Sequence, residues 1–157
     1  GMRVIALDRE EMEVSDGADE VVGLDGFESM LGRSDVVSIC CPLTSETQGK
    51  FDSSAFLAMK DTAVLVNVTR GEVMVEADLV KALKEGTIAG AALDVAPREP
   101  LPADSDLWLL ENVVMSPHTA GASQFRASRN LDRFIRNLEH VRAGGVLEGV
   151  IDKDLGY

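Results

Sequence analysis

Three loops in this chain carry an arginine, a glutamate and a histidine, and each loop follows an apolar run of strand type. The runs are Ala63 to Val66, Ala89 to Leu93 and Val113 to Met115. The loops are Asn67-Val68-Thr69-Arg70-Gly71, Asp94 to Pro100 with Glu99, and Ser116-Pro117-His118-Thr119-Ala120-Gly121. In a parallel α/β sheet the carboxyl ends of the strands share one edge, and ligands bind there. Residues far apart in sequence can therefore converge. Arginine grips a carboxylate through two parallel hydrogen bonds. Histidine exchanges a proton near neutral pH, and a carboxylate beside it orients the ring and favours its charged form. Together these groups make a proton-transfer site with an anion clamp. Singly, each has a plainer reading: Arg70 as a surface charge, Glu99 as a solvated loop residue, His118 as a turn residue. Their shared placement at strand ends favours the site.

The elements that would hold these loops alternate. Strands are expected at Arg3 to Leu7, Glu20 to Val22, Val36 to Cys41, Ala63 to Asn67, Ala89 to Asp94 and Val113 to Met115. Helices are expected at Phe27 to Gly32, at Ser53 to Met59 capped by Asp52 or Ser53, and at Glu76 to Glu85 ended by Gly86. Strands and helices alternating in this way predict an α/β fold with a doubly wound parallel sheet. The near-continuous apolar strands predict cover on both faces. The longest helix is expected from Ser123 to about Arg142. Its apolar stripe of Ala127, Leu131, Phe134, Leu138 and Val141 reads as core packing.

Composition narrows the partners. The 157 residues, 45% of them hydrophobic, suffice for one domain with a true core. A formal charge of −12 disfavours nucleic acid and anionic membrane surfaces as partners. No apolar run of about 18 residues occurs, so no membrane span is expected. Asp8, Glu10, Glu11 and Glu13 interrupt any N-terminal leader pattern. Cys40 and Cys41 are adjacent at a strand end and read as buried, reduced thiols of a cytoplasmic protein. No metal site is expected, because His118 and His140 lack zinc-ligand spacing.

In order and spacing, Pro42-Leu43-Thr44-Ser45-Glu46-Thr47, Val64 to Gly71, Gly90 to Pro100 and Pro117 to Gly121 resemble the D-isomer-specific 2-hydroxyacid dehydrogenases. The likeness runs from Met2 to Tyr157. It implies that His118 is the general acid or base, Glu99 its partner, and Arg70 the holder of the substrate carboxylate and carbonyl. It implies NAD as cofactor, a 2-keto or 2-hydroxy acid as substrate, and a homodimer. Asp94 would meet the nicotinamide carboxamide, with the Val68–Thr69 backbone lining that end. Pro42 and Thr47 would lie on the adenosine and pyrophosphate side. His118, Ala120 and Gly121 would also border the cofactor.

One expected motif is missing. A dinucleotide fold opens with a strand, a G-x-G-x-x-G turn and a helix whose N-terminus holds the pyrophosphate. No such run occurs here. Asp8, closing the first strand, fits the acidic residue that follows it by about 20 positions and reads ribose hydroxyls. The expectation is a Rossmann-like sheet lacking its first strand and turn. Residues 1–142 would be a partial NAD-binding domain, and residues 143–157 a tail returning to a substrate domain. The strands at Arg3 to Leu7 and Val36 to Cys41 would flank the missing one. They would close up, receive another chain, or belong to a longer protein. A different class of reading is a non-catalytic, NAD-responsive interaction module of the same family.

Overall fold

The structure is a computed structural model, and it describes residues 1–9, 14 and 17–154. Glu10, Glu11 and Glu13 lie outside these residues, as does the end of the tail from 155. The chain divides into two compact units, 1–117 and 118–157.

Among the described residues the first unit holds six strands: β1 (Ile5–Leu7), β2 (Glu20–Val22), β3 (Val36–Ile39), β4 (Val64–Asn67), β5 (Gly90–Leu93) and β6 (Val113–Met115). Every pairing is parallel, as the alternation predicts. The strands form two sheets, β1-β2 and β3-β4-β5-β6. Among the described residues no ladder joins β1 to β3. The two strands expected to flank a missing one have not closed up.

Helices α1 (Phe27–Arg33), α2 (Ser53–Ala58) and α3 (Glu76–Glu85) lie between the strands in sequence. Their ends follow local chemistry. The Asp52 side chain accepts hydrogen bonds from the Ser54 and Ala55 N–H groups and so caps α2. Gly86 ends α3 in the left-handed conformation, at φ 70°, which a glycine enters without steric cost.

The core lies on one face of the larger sheet. Register places Val37, Leu65 and Ala91 in one row and Ile39, Asn67 and Leu93 in the next. All six are buried, and the apolar ones cluster with Leu31, Phe56, Leu79 and Leu83 from the three helices. The other face is less covered than the apolar strands suggested. Val36 is 56% and Val114 72% exposed. Cys40 is exposed too, and Cys41 only half-buried, which corrects the expectation of two buried thiols. Side chains alternate along an extended chain, so Cys40 follows Val36 and Ser38 on the open face of β3. Partial burial pushes the Cys41 thiol above its ordinary range.

The second unit is built on α4 (Arg126–Ala143), ended by Gly144 at φ 68°. The tail folds back on it. The Glu148 carboxylate accepts from Arg136, and the Glu148 N–H and C=O both pair with the Asn137 side chain. Arg136, by its hydrogen bonds, holds the Glu148 carboxyl below the ordinary carboxylate range. The tail thus occupies the polar side of α4. The apolar stripe stays exposed at Leu131, Phe134, Leu138 and Val141. This corrects the reading of that stripe as core: the periodicity marks an apolar face, and no α4 residue is buried.

Candidate active site

The carboxyl ends of β3 to β6 carry the predicted loops. After β3, Pro42 and Thr47 are brought together by a tight turn. The Thr47 hydroxyl donates to the Pro42 carbonyl at 2.7 Å and accepts from the Thr44 N–H at 2.8 Å. After β1 comes Asp8, whose N–H donates to the Val22 carbonyl.

The loop after β4 is organised by Asn67, which is completely buried. It stands in a row with Ile39 and Leu93, facing the apolar core. A buried amide is costly unless its polar atoms are paired. Its Nδ2 donates to the Arg70 carbonyl at 2.9 Å, and its Oδ1 accepts from the Thr69 N–H at 3.0 Å and the Thr69 hydroxyl at 3.2 Å. These bonds fix the backbone from Val68 to Arg70. The Arg70 side chain is exposed, with one Nη1 bond to the Thr69 carbonyl at 2.7 Å. Val68 is also exposed, at the edge where ligands bind.

The loop after β5 starts at Asp94, which is buried. The Ser116 hydroxyl, from the end of β6, donates to its Oδ1. The Ala96 N–H donates to Glu99 Oε1 at 3.0 Å, so the glutamate is tied to its own loop. The Arg70 and Glu99 loops meet backbone to backbone. A Cβ added at Gly71 would stand 1.9 Å from the Ala96 carbonyl carbon and 2.2 Å from the Pro97 nitrogen. Only a glycine permits that approach.

Arg70 and Glu99 therefore share the first unit on docked loops, together with Asp8, Pro42, Thr47, Val68, Thr69 and Asp94. His118 opens the second unit in a left-handed conformation, at φ 53°, uncommon for a residue with a side chain. Ala120 and Gly121 follow in a turn closed by the bond from the Ala122 N–H to the Thr119 carbonyl, 2.8 Å.

Sequence reasoning missed Asn67, Gly71 and Ser116 as organisers. A signal existed for Asn67: an amide inside an apolar strand run must find partners. None existed for Gly71, whose contact lies 25 positions away.

A parallel sheet with helices and ligand-ready loops at its carboxyl edge defines a nucleotide-binding domain of Rossmann type. The chain belongs to a particular family of such proteins, because residues 1–120 match the family described as D-isomer specific 2-hydroxyacid dehydrogenase, NAD binding domain. It is similar to a glyoxylate reductase of Korarchaeum cryptofilum, 40% identical over 99% of this chain and 46% of the relative. A hydroxypyruvate reductase of Blautia hydrogenotrophica is 35% identical over 92% of this chain and 44% of its own. The NADPH-dependent glyoxylate/hydroxypyruvate reductase of Sinorhizobium meliloti, solved with NADP and sulfate, superposes with a TM-score of 0.90. It is 34% identical and covers all of this chain and half of its own. The chain thus spans about half the length of the relatives it matches.

Proposed function

We propose that this chain supplies the nucleotide-side half of an oxidoreductase that interconverts 2-keto and 2-hydroxy acids. The observation that carries this reading is the docking of the Arg70 and Glu99 loops at Gly71, within a chain matched by the dehydrogenase family. The residues present fit the two ends of a nicotinamide dinucleotide. Asp8, Pro42 and Thr47 suit the adenosine end. Asp94, exposed Val68 and the Thr69 backbone suit the nicotinamide end. When bound, the nicotinamide supplies the hydride for the C2 carbonyl.

In this reading Arg70 binds the substrate carboxylate and polarises the carbonyl oxygen. Its loop is held by Asn67, so the guanidinium is presented from a fixed backbone. The His118 ring hands its proton to the developing alkoxide oxygen, and Glu99 steadies the charged ring. Asp94, tied by Ser116, orients the carboxamide. The same reading assigns His118, Ala120 and Gly121 to cofactor binding. In this reading residues 1–142 belong to the cofactor domain, and the tail from 143 belongs to the connection with a substrate domain.

NAD is the cofactor of this reading, because a carboxylate at Asp8 accepts hydrogen bonds from ribose hydroxyls and repels a 2′-phosphate. The Sinorhizobium relative, named for NADPH, makes this the point to measure. A cytoplasmic homodimer is part of the same reading, with Trp108 as an anchor. Trp108 is 55% exposed, and its Nε1–H donates to the Pro102 carbonyl. The test is steady-state reduction of glyoxylate and hydroxypyruvate by the full polypeptide carrying this chain, with NADH and NADPH compared. Turnover with NADH preferred is expected. Absence of turnover with any 2-keto acid would sink the reading.

A further inference from the structure

The longest helix gathers positive charge in a chain whose formal charge is −12. α4 carries Arg126, Arg129, Arg133, Arg136 and Arg142 against Asp132 and Glu139. Arg126, Arg129, Arg133, Arg136 and His140 recur every three or four residues and so share one face. That face lies opposite the stripe of Leu131, Phe134 and Leu138, because the two sets are half a turn out of step. Its C-terminal part already holds an oxyanion. The Glu148 carboxylate takes a fork of bonds from Arg136, Nε to Oε1 at 2.9 Å and Nη2 to Oε2 at 2.9 Å. Hydrogen bonding by Arg136, then its charge and those of His140 and Arg133, holds this carboxyl below its ordinary range. Upstream the face is open. Arg129, Asn130, Asp132, Arg133 and Arg136 line a cavity of about 390 Å³. The Arg129 guanidinium lies over the Phe125 ring, 5.7 Å from its centre. Among the described residues neither Arg129 nor Arg133 forms a salt bridge.

We propose that the arginine face of α4 is a binding site for a small polyanion of the pyrophosphate or triphosphate class, independent of the nicotinamide cofactor. Arginine forks match phosphoryl and carboxylate oxygens and pair with them through two bonds. Glu148 makes that pairing on Arg136 from within the chain. Successive turns of a helix rise about 5.4 Å. Arg129, Arg133 and Arg136 thus present a row of donors. A single oxyanion meets such a row at one point, and linked phosphoryl groups meet it at several. The cavity is of ligand size, toward the lower end of about 300–1,000 Å³. Asp132 beside the row lowers its net charge without cancelling it. A long nucleic acid would run on into the field of a chain with 27 acidic residues, whereas a short anion stays within the locally positive face. All three arginines are exposed, so binding is sensitive to salt.

The experiment is calorimetry at low salt on the full polypeptide carrying this chain, titrated with inorganic triphosphate, pyrophosphate and orthophosphate. Wild type is compared with the double variant Arg129→Gln/Arg133→Gln and with Arg142→Gln, which removes one charge of α4 from outside the row. Triphosphate is expected to bind once per chain, roughly tenfold more tightly than orthophosphate. The double variant should lose roughly tenfold in triphosphate affinity, and Arg142→Gln less than about twofold. Saturating NADH should leave triphosphate affinity unchanged. Far-UV circular dichroism of the double variant should match wild type. If it does not, Arg129→Gln and Arg133→Gln are read singly, each expected to weaken binding roughly threefold. Affinity no better than for orthophosphate, an equal loss in Arg142→Gln, no loss in the row variants, or displacement of triphosphate by NADH overturns the proposal.

Discussion

Replacing Gly71 by alanine tests how closely the Arg70 and Glu99 loops depend on each other. The new Cβ would lie 1.9 Å from the Ala96 carbonyl carbon and 2.1 Å from its oxygen, where ordinary contact begins at 3.4 Å. One backbone must retreat by about 1.5 Å, the difference between those distances. Neither is free to do so. Gly71 is buried and its carbonyl accepts from the Met74 N–H at 2.9 Å. Ala96 is buried next to buried Val95, and its N–H is held by Glu99. Overpacking of this kind costs about 1–3 kcal/mol. The upper part of that range applies, because every clashing atom is backbone. A misplacement of about 1 Å at a catalytic constellation also costs on the order of 10²-fold in rate. Urea unfolding followed by circular dichroism reads the first effect on this chain, and kcat/KM of the full polypeptide reads the second. Gly86→Ala is the control. No atom stands within 4 Å of its added Cβ, but its φ of 70° makes the new side chain strained. It should cost about 1–2 kcal/mol without slowing turnover. A Gly71→Ala protein within about 0.5 kcal/mol of wild type, with the Ala96 amide still protected from exchange, would refute the docking argument.

His118→Gln should lower kcat by roughly 10²–10⁴ while KM for the keto acid changes less; near wild-type turnover would remove it as the proton donor. Arg70→Ala should weaken keto-acid binding together with rate, because both bonds of the clamp are lost; an unaltered KM would count against its role. Acid should loosen the first unit. Hydrogen bonding to Arg33, followed by the charges of Arg33 and Arg3, holds the Glu20 carboxyl below its ordinary value of 4.5. A lowered folded-state value means the stabilisation is complete above 4.5 and is lost as pH falls through the folded value. Urea midpoints taken from about pH 6 to about pH 3 should fall less steeply in Glu20→Gln than in wild type. Parallel curves would show that Glu20 contributes nothing to acid sensitivity.

Much of the architecture could be read from local chemistry. Asp52 and Gly86 mark helix ends because their side-chain and backbone properties act within a few residues. Strand ends were overrun: β1 lacks Arg3 and Val4, and β3 stops before Cys40, since a ladder ends where its neighbour does. Alternation along Val36, Ser38 and Cys40 held the information that Cys40 faces outward, but apolar content outweighed it. The stripe on α4 shows the limit of periodicity. Leu131, Phe134 and Leu138 identify a face suited to burial, and nothing in their spacing says whether this chain supplies the cover. At the site, Arg70 and Glu99 were legible as residue types at strand ends. Their coupling through Gly71 and Ala96 was not, because it depends on two backbones meeting across 25 positions.

The parting between β1 and β3 also determines how this molecule breathes. The β1–β2 ribbon has six half-exposed residues and no place in the main ladder. Arg33–Glu20 and Arg9–Glu46 tie it to the rest through charge. A ribbon with no fully buried residue opens locally, at a free energy well below that of the whole, and its ion pairs weaken in salt. Amide exchange should therefore be fastest at Ile5 to Leu7 and slowest at Leu65 and Leu93, with the gap widening as ionic strength rises. The ribbon that carries Asp8 and Arg9 would then be the first part of the molecule to unlatch and the last to set. Any extended segment bonded to both open edges would remove that independence and join six strands into one cooperative sheet.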